Sequence, residues 1–269
     1  MAKKLGLSEA QVEGAMSTLD AARRMEDDDL MGCLTLASAA RKVLTHGVLR
    51  SDRTPIVSLA SWNAAPLAAS TWRAEALMGE DVYGRSGEEV GEVEDILMTE
   101  DGAISAIVVE GGGVLDIGDR HVRVAWDDVS LRQGDDEGVS VPLKDANMSD
   151  YSFFDEADGV QVERDEVRVS HVLGAGVRDK RGVPYGYVDD ILFSEGEAKA
   201  TLIRPDVAYG MDRGARPYAT PYVGARHGYG VGYDFYLMPY DKAELDRLDA
   251  FDADSVGGPS ETSEPAMGS

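Results

Sequence analysis

Apolar residues recur in two rhythms along this chain, and the change of rhythm divides it. Near the start, Val12, Ala15, Met16 and Leu19 return at helical intervals, behind a Ser8/Gln11 pair with capping-box spacing and ahead of Arg23 and Arg24. Asp27 to Asp29 supply negative charge for a second helix, Leu30 to Leu44, which ends with Lys42 and His46 near Gly47. Residues 1–50 are therefore expected to form an α-helical hairpin that packs on the chain, dimerises or docks a partner. Residues 51–71 read as a linker, although Ile56 to Ser70, IVSLASWNAAPLAAS, also resembles a secretory leader with an alanine-rich cleavage site.

From Leu77 onward the apolar runs become short, alternate like strands and are punctuated by glycine, and the chain repeats itself at an offset of 95 residues. LMGEDVYGRSGEEVGEVEDILM (77–98) lies over VLGAGVRDKRGVPYGYVDDILF (172–193) without a gap. The match places Gly79 over Gly174, Val82 over Val177, Gly87 over Gly182, Gly91 over Gly186, Val93 over Val188, and Asp95-Ile96-Leu97 over Asp190-Ile191-Leu192. Those are eight identities in 22 positions, where average composition gives roughly one or two. The register is expected to continue with Ala103 over Ala198 and Ile107-Val108 over Leu202-Ile203.

Each copy has a readable grammar. Gly87 and Gly182 follow polar residues between two strands, where a tight turn asks for positive φ. Gly91 and Gly186 sit inside the second strand, where a missing side chain permits a bend or bulge. Val90, Val93, Ile96, Ile104, Ile107, Val109, Val122, Val124 and Val129 can fill an interior, each worth roughly 1.5 to 3 kcal/mol on full burial.

The pattern from Leu77 through Trp126 resembles the PRC-barrel, a module of the reaction-centre H subunit, of a ribosome maturation factor and of many prokaryotic proteins. Its marks are Gly79-x-x-Val82-Tyr83, the run RSGEEVGEVEDI (85–96) and the closing VAWDDV (124–129). The resemblance implies a mainly β chain with two small PRC-type barrels in tandem, at 72–143 and 171–242. The second match holds through Ile203 and resumes at Met238-Pro239-Tyr240-Asp241, at an offset of 114, as if nineteen residues were inserted. VSLRQGDDEGVSVPL (129–143) reads as a closing hairpin, 144–170 as a linker, 243–251 as a short helix and 252–269 as a disordered tail.

Charge narrows the function classes. Fifty acidic against 26 basic residues give a net charge of −24, a field that repels nucleic acid and anionic lipid. Residues 71–150 are the acidic part, with 6 basic and 20 acidic groups. Only 7 of the 26 cations are lysine, a balance that a salt-adapted cytoplasm would screen. Cys33 is alone, so no internal disulfide or Cys-x-x-Cys site can form. No run approaches the roughly 18 apolar residues of a membrane span, so a soluble protein is expected, cytoplasmic as written and periplasmic if the true start lies near residue 50.

The segment RPDVAYGMDRGARPYATPYVGARHGYGVGY (204–233) is the one cationic, tyrosine-rich stretch. Arg204, Tyr209, Arg213, Arg216, Tyr218, Tyr222, Arg226 and Tyr229 make a docking arm for a protein partner, including the acidic first module of a second copy. The alternative is a long hairpin, 205–230, that only closes the barrel. His46, His121, His171 and His227 lack metal-ligand spacing. Glu94-Asp95 and Asp189-Asp190 recur in both copies; a structural hydrogen bond beside a solvated neighbour fits them better than proton transfer or a cation site. Asp27 to Asp29 and Asp135 to Glu137 read as solvated turns. No Gly-x-Ser-x-Gly, Walker-type or dinucleotide-binding glycine motif is present. The expectation is a non-enzymatic scaffold or adaptor without cofactor or metal. The resemblance leaves open an accessory of a photosynthetic or electron-transfer complex and a ribosome-assembly factor, and the Tyr/Arg segment leaves open a small-ligand or ion sensor.

Overall fold

The computed structural model describes residues 56–111, 120–132, 138–143, 153–155, 162–163, 166–206, 216–224 and 235–259. The expected N-terminal hairpin and residues 260–269 lie outside them. The first-half strands are β1 (Trp72–Arg73), β2 (Asp81–Tyr83), β3 (Glu89–Thr99), β4 (Ile104–Gly111), β5 (Arg120–Ala125), β6 (Ser130–Arg132), β7 (Gly138–Ser140) and β8 (Phe153–Asp155). The second half adds β9 (Glu166–Arg168), β10 (Gly176–Arg178), β11 (Pro184–Ser194), β12 (Glu197–Pro205), β13 (Tyr218–Pro221) and β14 (Phe235–Leu237). Helical structure among the described residues is confined to single turns such as Ala74–Leu77, Val169–Val172 and Lys242–Leu245.

The two halves share one wiring. In the first sheet the order is β6-β7-β2-β3-β4-β5-β8, in the second β13-β12-β11-β10-β14. β7 runs parallel to β2 as β14 runs parallel to β10, and all the hairpin pairings are antiparallel. Neither order closes on itself among the described residues, so the two expected barrels are open sheets. The first must nevertheless curl. Five strand spacings of about 4.8 Å separate β5 from β6 in a flat sheet, yet the five steps from Ala125 to Ser130 span at most about 17 Å. A 3-10 turn, Trp126–Asp128, makes that connection without a ladder between the two strands.

Strand register corrects the reading of 205–230 as an insertion. Val108 pairs with Arg123 and Leu202 with Ala219; Val82 pairs with Val139 and Val177 with Tyr236. Equivalent positions therefore lie 95 residues apart in β3 and β11, 94 in β4 and β12, 96 in β5 and β13, and 97 in β7 and β14. Met238-Pro239-Tyr240 takes the place of Val141-Pro142-Leu143, not of the VAWD segment. Val141 N–H donates to Tyr83 O as Met238 N–H donates to Arg178 O. The halves differ by two residues rather than nineteen, because small shifts in three turns broke an ungapped comparison. The same drift places Ile104, not Ala103, over Ala198.

Two further expectations change. The stretch 144–170 contains β8 and β9, and residues up to 259 carry structure: Phe251 is buried and Ala253–Ser255 form a 3-10 turn. Leu67, Leu192, Ala200, Leu202, Ala219 and Phe251 form a cluster there, with Trp62 packed on it and donating its indole N–H to Ala219 O at 2.8 Å. Residues of the expected 51–71 linker, with Phe251 of the expected short helix and the start of the expected tail, thus cover one face of the second sheet.

One main core runs through both halves. It joins Val93, Ile96 and Met98 of β3 to Val188, Ile191 and Phe193 of β11 in a single cluster. Gly91 and Gly186 let the neighbouring strand close in: a Cβ at either would overlap the carbonyl oxygen of Glu110 or Arg204. Gly87 and Gly182 turn at φ +85° and +79°, where a side chain would be strained. Gly79 and Gly174 donate their N–H groups to Val93 O and Val188 O, both at 2.8 Å.

Candidate functional site

The segment before each half docks on the other half. β1, which precedes the first half, pairs with β11 through Trp72↔Phe193 and Arg73↔Leu192. β9, which precedes the second, pairs with β3 through Leu97↔Arg168 and Met98↔Val167. The physical cause is the length of β3 and β11, eleven residues each. They outrun the three-residue β2 and β10, and the edge left over is covered by the other half's arm.

Both arms end in the same clamp. Asp95 and Asp190 follow equivalent bulges in β3 and β11 and are fully buried. Asp190 accepts from Arg73 Nε at 2.7 Å, from Ile191 N–H at 2.8 Å and from Glu75 N–H at 3.3 Å. Asp95 accepts from Arg168 Nε, from Ser170 N–H at 3.0 Å, from Ser170 Oγ and from Ile96 N–H at 2.8 Å. Arg73 and Arg168, Glu75 and Ser170, Asp95 and Asp190 are each 95 residues apart. The exchange is reciprocal, the signature of a two-fold interface. The hairpin tips close it: Ile104 N–H donates to Gly196 O at 2.7 Å, Ala198 N–H to Gly102 O at 2.8 Å, and Ala103 bridges Glu197. The chain is built like a dimer whose subunits are joined end to end.

The electrostatics follow from burial. Burial pushes the Asp190 carboxyl above the usual range, and Arg73 with the amides of Ile191 and Glu75 pulls back without restoring it. Burial works against the Arg73 and Arg168 charges, but the hydrogen bonds and fields of Asp190 and Asp95 outweigh it and raise both. Glu166, also buried, is held below the usual range despite desolvation, because Arg123 binds it through two nitrogens at 3.0 and 2.6 Å and Glu163 N–H adds a third bond. Beside the clamp, Glu94 meets Arg168 at 3.3 Å and His121 Nε2 at 3.2 Å; its counterpart Asp189 is held twice by Arg204. Apart from Glu94 Oε2, which is buried without a hydrogen bond, these carboxylate oxygens are occupied by donors from their own fold, an arrangement suited to locking two halves together. Among the described residues no three His, Cys, Asp or Glu converge as metal ligands do, and no helix is long and apolar enough to cross a membrane.

A second feature lies at the end of the first sheet. Gly84, Arg85, Gly87, Asp127, Asp128, Ser130, Arg132, Ser140, Val141 and Pro142 line an open groove of about 470 Å³. Arg132 lies over the Tyr83 ring at 4.0 Å, and Arg85 is exposed. In the second half, Lys180 occupies the position of Arg85. Lys180 N–H donates to Tyr240 O at 2.8 Å, as Arg85 N–H donates to Leu143 O at 3.0 Å.

Among the described residues, those of the predicted docking arm do not share one exposed surface. Arg204 belongs to β12 and grips Asp189; Tyr218 and Tyr222 are buried, 3% and 7% exposed. Tyr222 packs on the other half, its hydroxyl 3.8 Å from Met98 Sδ and its ring against Gly102. Trp126 does the same against Gly196. Arg216 is exposed, while Tyr209, Arg213, Arg226 and Tyr229 lie outside the described residues. His171 is exposed, and His46 and His227 also lie outside. The arginines of the clamp were missed because the repeat was traced only from Leu77; carrying the same offset four residues upstream sets Arg73 over Arg168.

A PRC-barrel domain model matches residues 73–139, about a quarter of the chain and close to the whole first half. No curated protein matches the chain.

Proposed function

We propose that this protein is a non-enzymatic adaptor in which two PRC-type halves, locked face to face, present related but unlike surfaces to protein partners. The reciprocal clamp carries the reading. Two modules on a flexible tether would search a large volume before binding twice, whereas modules sharing one core offer both faces at a fixed separation and pay little ordering entropy on binding. The buried charges support the same view: each clamp carboxylate accepts three or four donors, so its lone pairs serve the joint between halves. The match of the first half to the PRC-barrel domain adds weight, since a protein-interaction or assembly module is what that domain suggests.

The test is quantitative affinity purification of the tagged full chain from its native host, with light scattering on the recovered complex. A partner recovered in stoichiometric amount is expected. A chain that elutes alone at native expression levels sinks the reading. Co-sedimentation with ribosomes, or with membrane electron-transfer complexes, assigns the adaptor to the corresponding assembly.

A further inference from the structure

The second half shows what belongs on the end of the first. After the closing prolines, the chain leaves each sheet beside the same turn, Gly84 to Gly87 in one half and Asp179 to Gly182 in the other. In the second half the chain then folds into a capped turn. Asp241 accepts from Glu244 N–H at 2.9 Å and Glu244 reaches back to Asp241 N–H at 2.8 Å, a complete capping box before Lys242–Leu245. Both carboxylates also hold Lys180, Asp241 at 3.0 Å and Glu244 at 2.9 Å, and Leu245 is buried beneath them. The contact shows in the charges: the bonds to Glu244 and Asp241 raise Lys180, and the bond from Lys180 lowers Asp241.

The first half keeps the cation and differs in the sequence that follows its closing proline. Where the second half reads Asp241-Lys242-Ala243-Glu244-Leu245, the first reads Lys144-Asp145-Ala146-Asn147-Met148. The two carboxylates are replaced by a lysine and an asparagine, and the Asp-x-x-Glu box is gone. Arg85 stands at the Lys180 position, exposed, and makes no ion pair among the described residues. It opens onto the groove lined by Asp127, Asp128, Ser130 and Arg132.

We propose that this groove docks an acidic capped turn, Asp-x-x-Glu followed by an apolar residue, supplied by a partner protein, with Arg85 taking the role that Lys180 plays within the second half. The inference rests on the adaptor reading and gives its partner a chemistry. An arginine suits the role, because its planar fork binds a carboxylate through two parallel bonds where lysine offers a point charge. The net charge of −24 opposes an acidic ligand at long range. At 0.15 M salt, however, the screening length is about 8 Å, so a contact pair of about 3 Å outweighs the distant field.

The chain's own sequence supplies the probe. A labelled peptide, MPYDKAELDRL, copied from Met238 to Leu248, is titrated with the full chain and followed by fluorescence anisotropy. Saturable binding is expected in the high micromolar range, since so short a helix is largely unfolded when free. Arg85→Glu should weaken it about tenfold. Arg247→Glu makes the same charge change on the exposed rim of the second half and should leave affinity within about twofold. A peptide with Asn and Gln in place of its Asp and Glu should not bind. Absence of saturable binding, or equal loss with both variants, overturns the proposal. The outcome separates from the adaptor reading: if the wild-type chain and the Arg85→Glu variant recover the same partner in the same amount, the groove is rejected and the adaptor stands. If the wild type recovers none, the adaptor falls whatever the peptide does.

Discussion

The two crossed arms do the same job with different chemistry. β1 buries Trp72, which stacks on Phe193 of the opposite half at 5.0 Å and on Trp126 of its own at 6.3 Å. β9 puts Val167 at the matching place, opposite Met98, and adds the Glu166–Arg123 pair, for which the first arm has no equivalent because Thr71 stands where Glu166 would be. What both arms keep is the arginine on the buried aspartate. A packing contact can be met by many combinations of side-chain volume, whereas a buried carboxylate tolerates few alternatives to a matched donor set. The two halves therefore share the clamp and differ in the packing around it.

Unequal packing is the first place to break the comparison. Trp72→Ala should destabilise the chain by about 3 to 5 kcal/mol, and Val167→Ala by only about 1.5 kcal/mol. Urea denaturation of the full chain measures both, and equal losses would remove the argument that the first arm is held mainly by its aromatic stack. The clamps should behave alike. Asp190→Asn and Asp95→Asn should each cost about 2 kcal/mol, below the 3 to 5 of a fully buried pair because the arginines keep some exposure. The double variant should deviate from additivity, since both pairs brace one interface. Strict additivity would show two independent joints.

Acid sharpens the difference further, with a smaller effect. Glu166 titrates lower in the folded chain than in the unfolded one, so its contribution is complete above the ordinary carboxylate value and is lost as pH falls through the folded value. Asp190 has the opposite sign: the folded chain holds its proton to higher pH, so its contribution falls as pH rises through that window and returns in acid. Hydrogen exchange between pH 5 and pH 3 should therefore open 166–168 before 72–73. The reverse order would contradict the assigned directions.

Several elements were legible because they depend on neighbours in sequence. The turn glycines, the alternation in β3 and β11 and the Asp95/Asp190 repeat are set within a few residues, where φ preferences and side-chain period act. The later strands were misaligned because one- and two-residue changes in turns are invisible when the flanking identities are weak. Tyr218 and Tyr222 read as surface anchors because composition alone does not separate a buried tyrosine from an interface tyrosine; their neighbours in β12 and the opposite hairpin decide that.

From its letters alone, the chain declared an internal repeat and the spacing of its matched parts. It could not declare which copy each part would join. Arg73 stands in the same relation to Asp95 as to Asp190 once the repeat is allowed, since a shift by one full copy leaves the pattern unchanged. Only the folded molecule breaks that degeneracy, because the uncovered edge of β11 and the reach of the connecting segments put the partner in the other half.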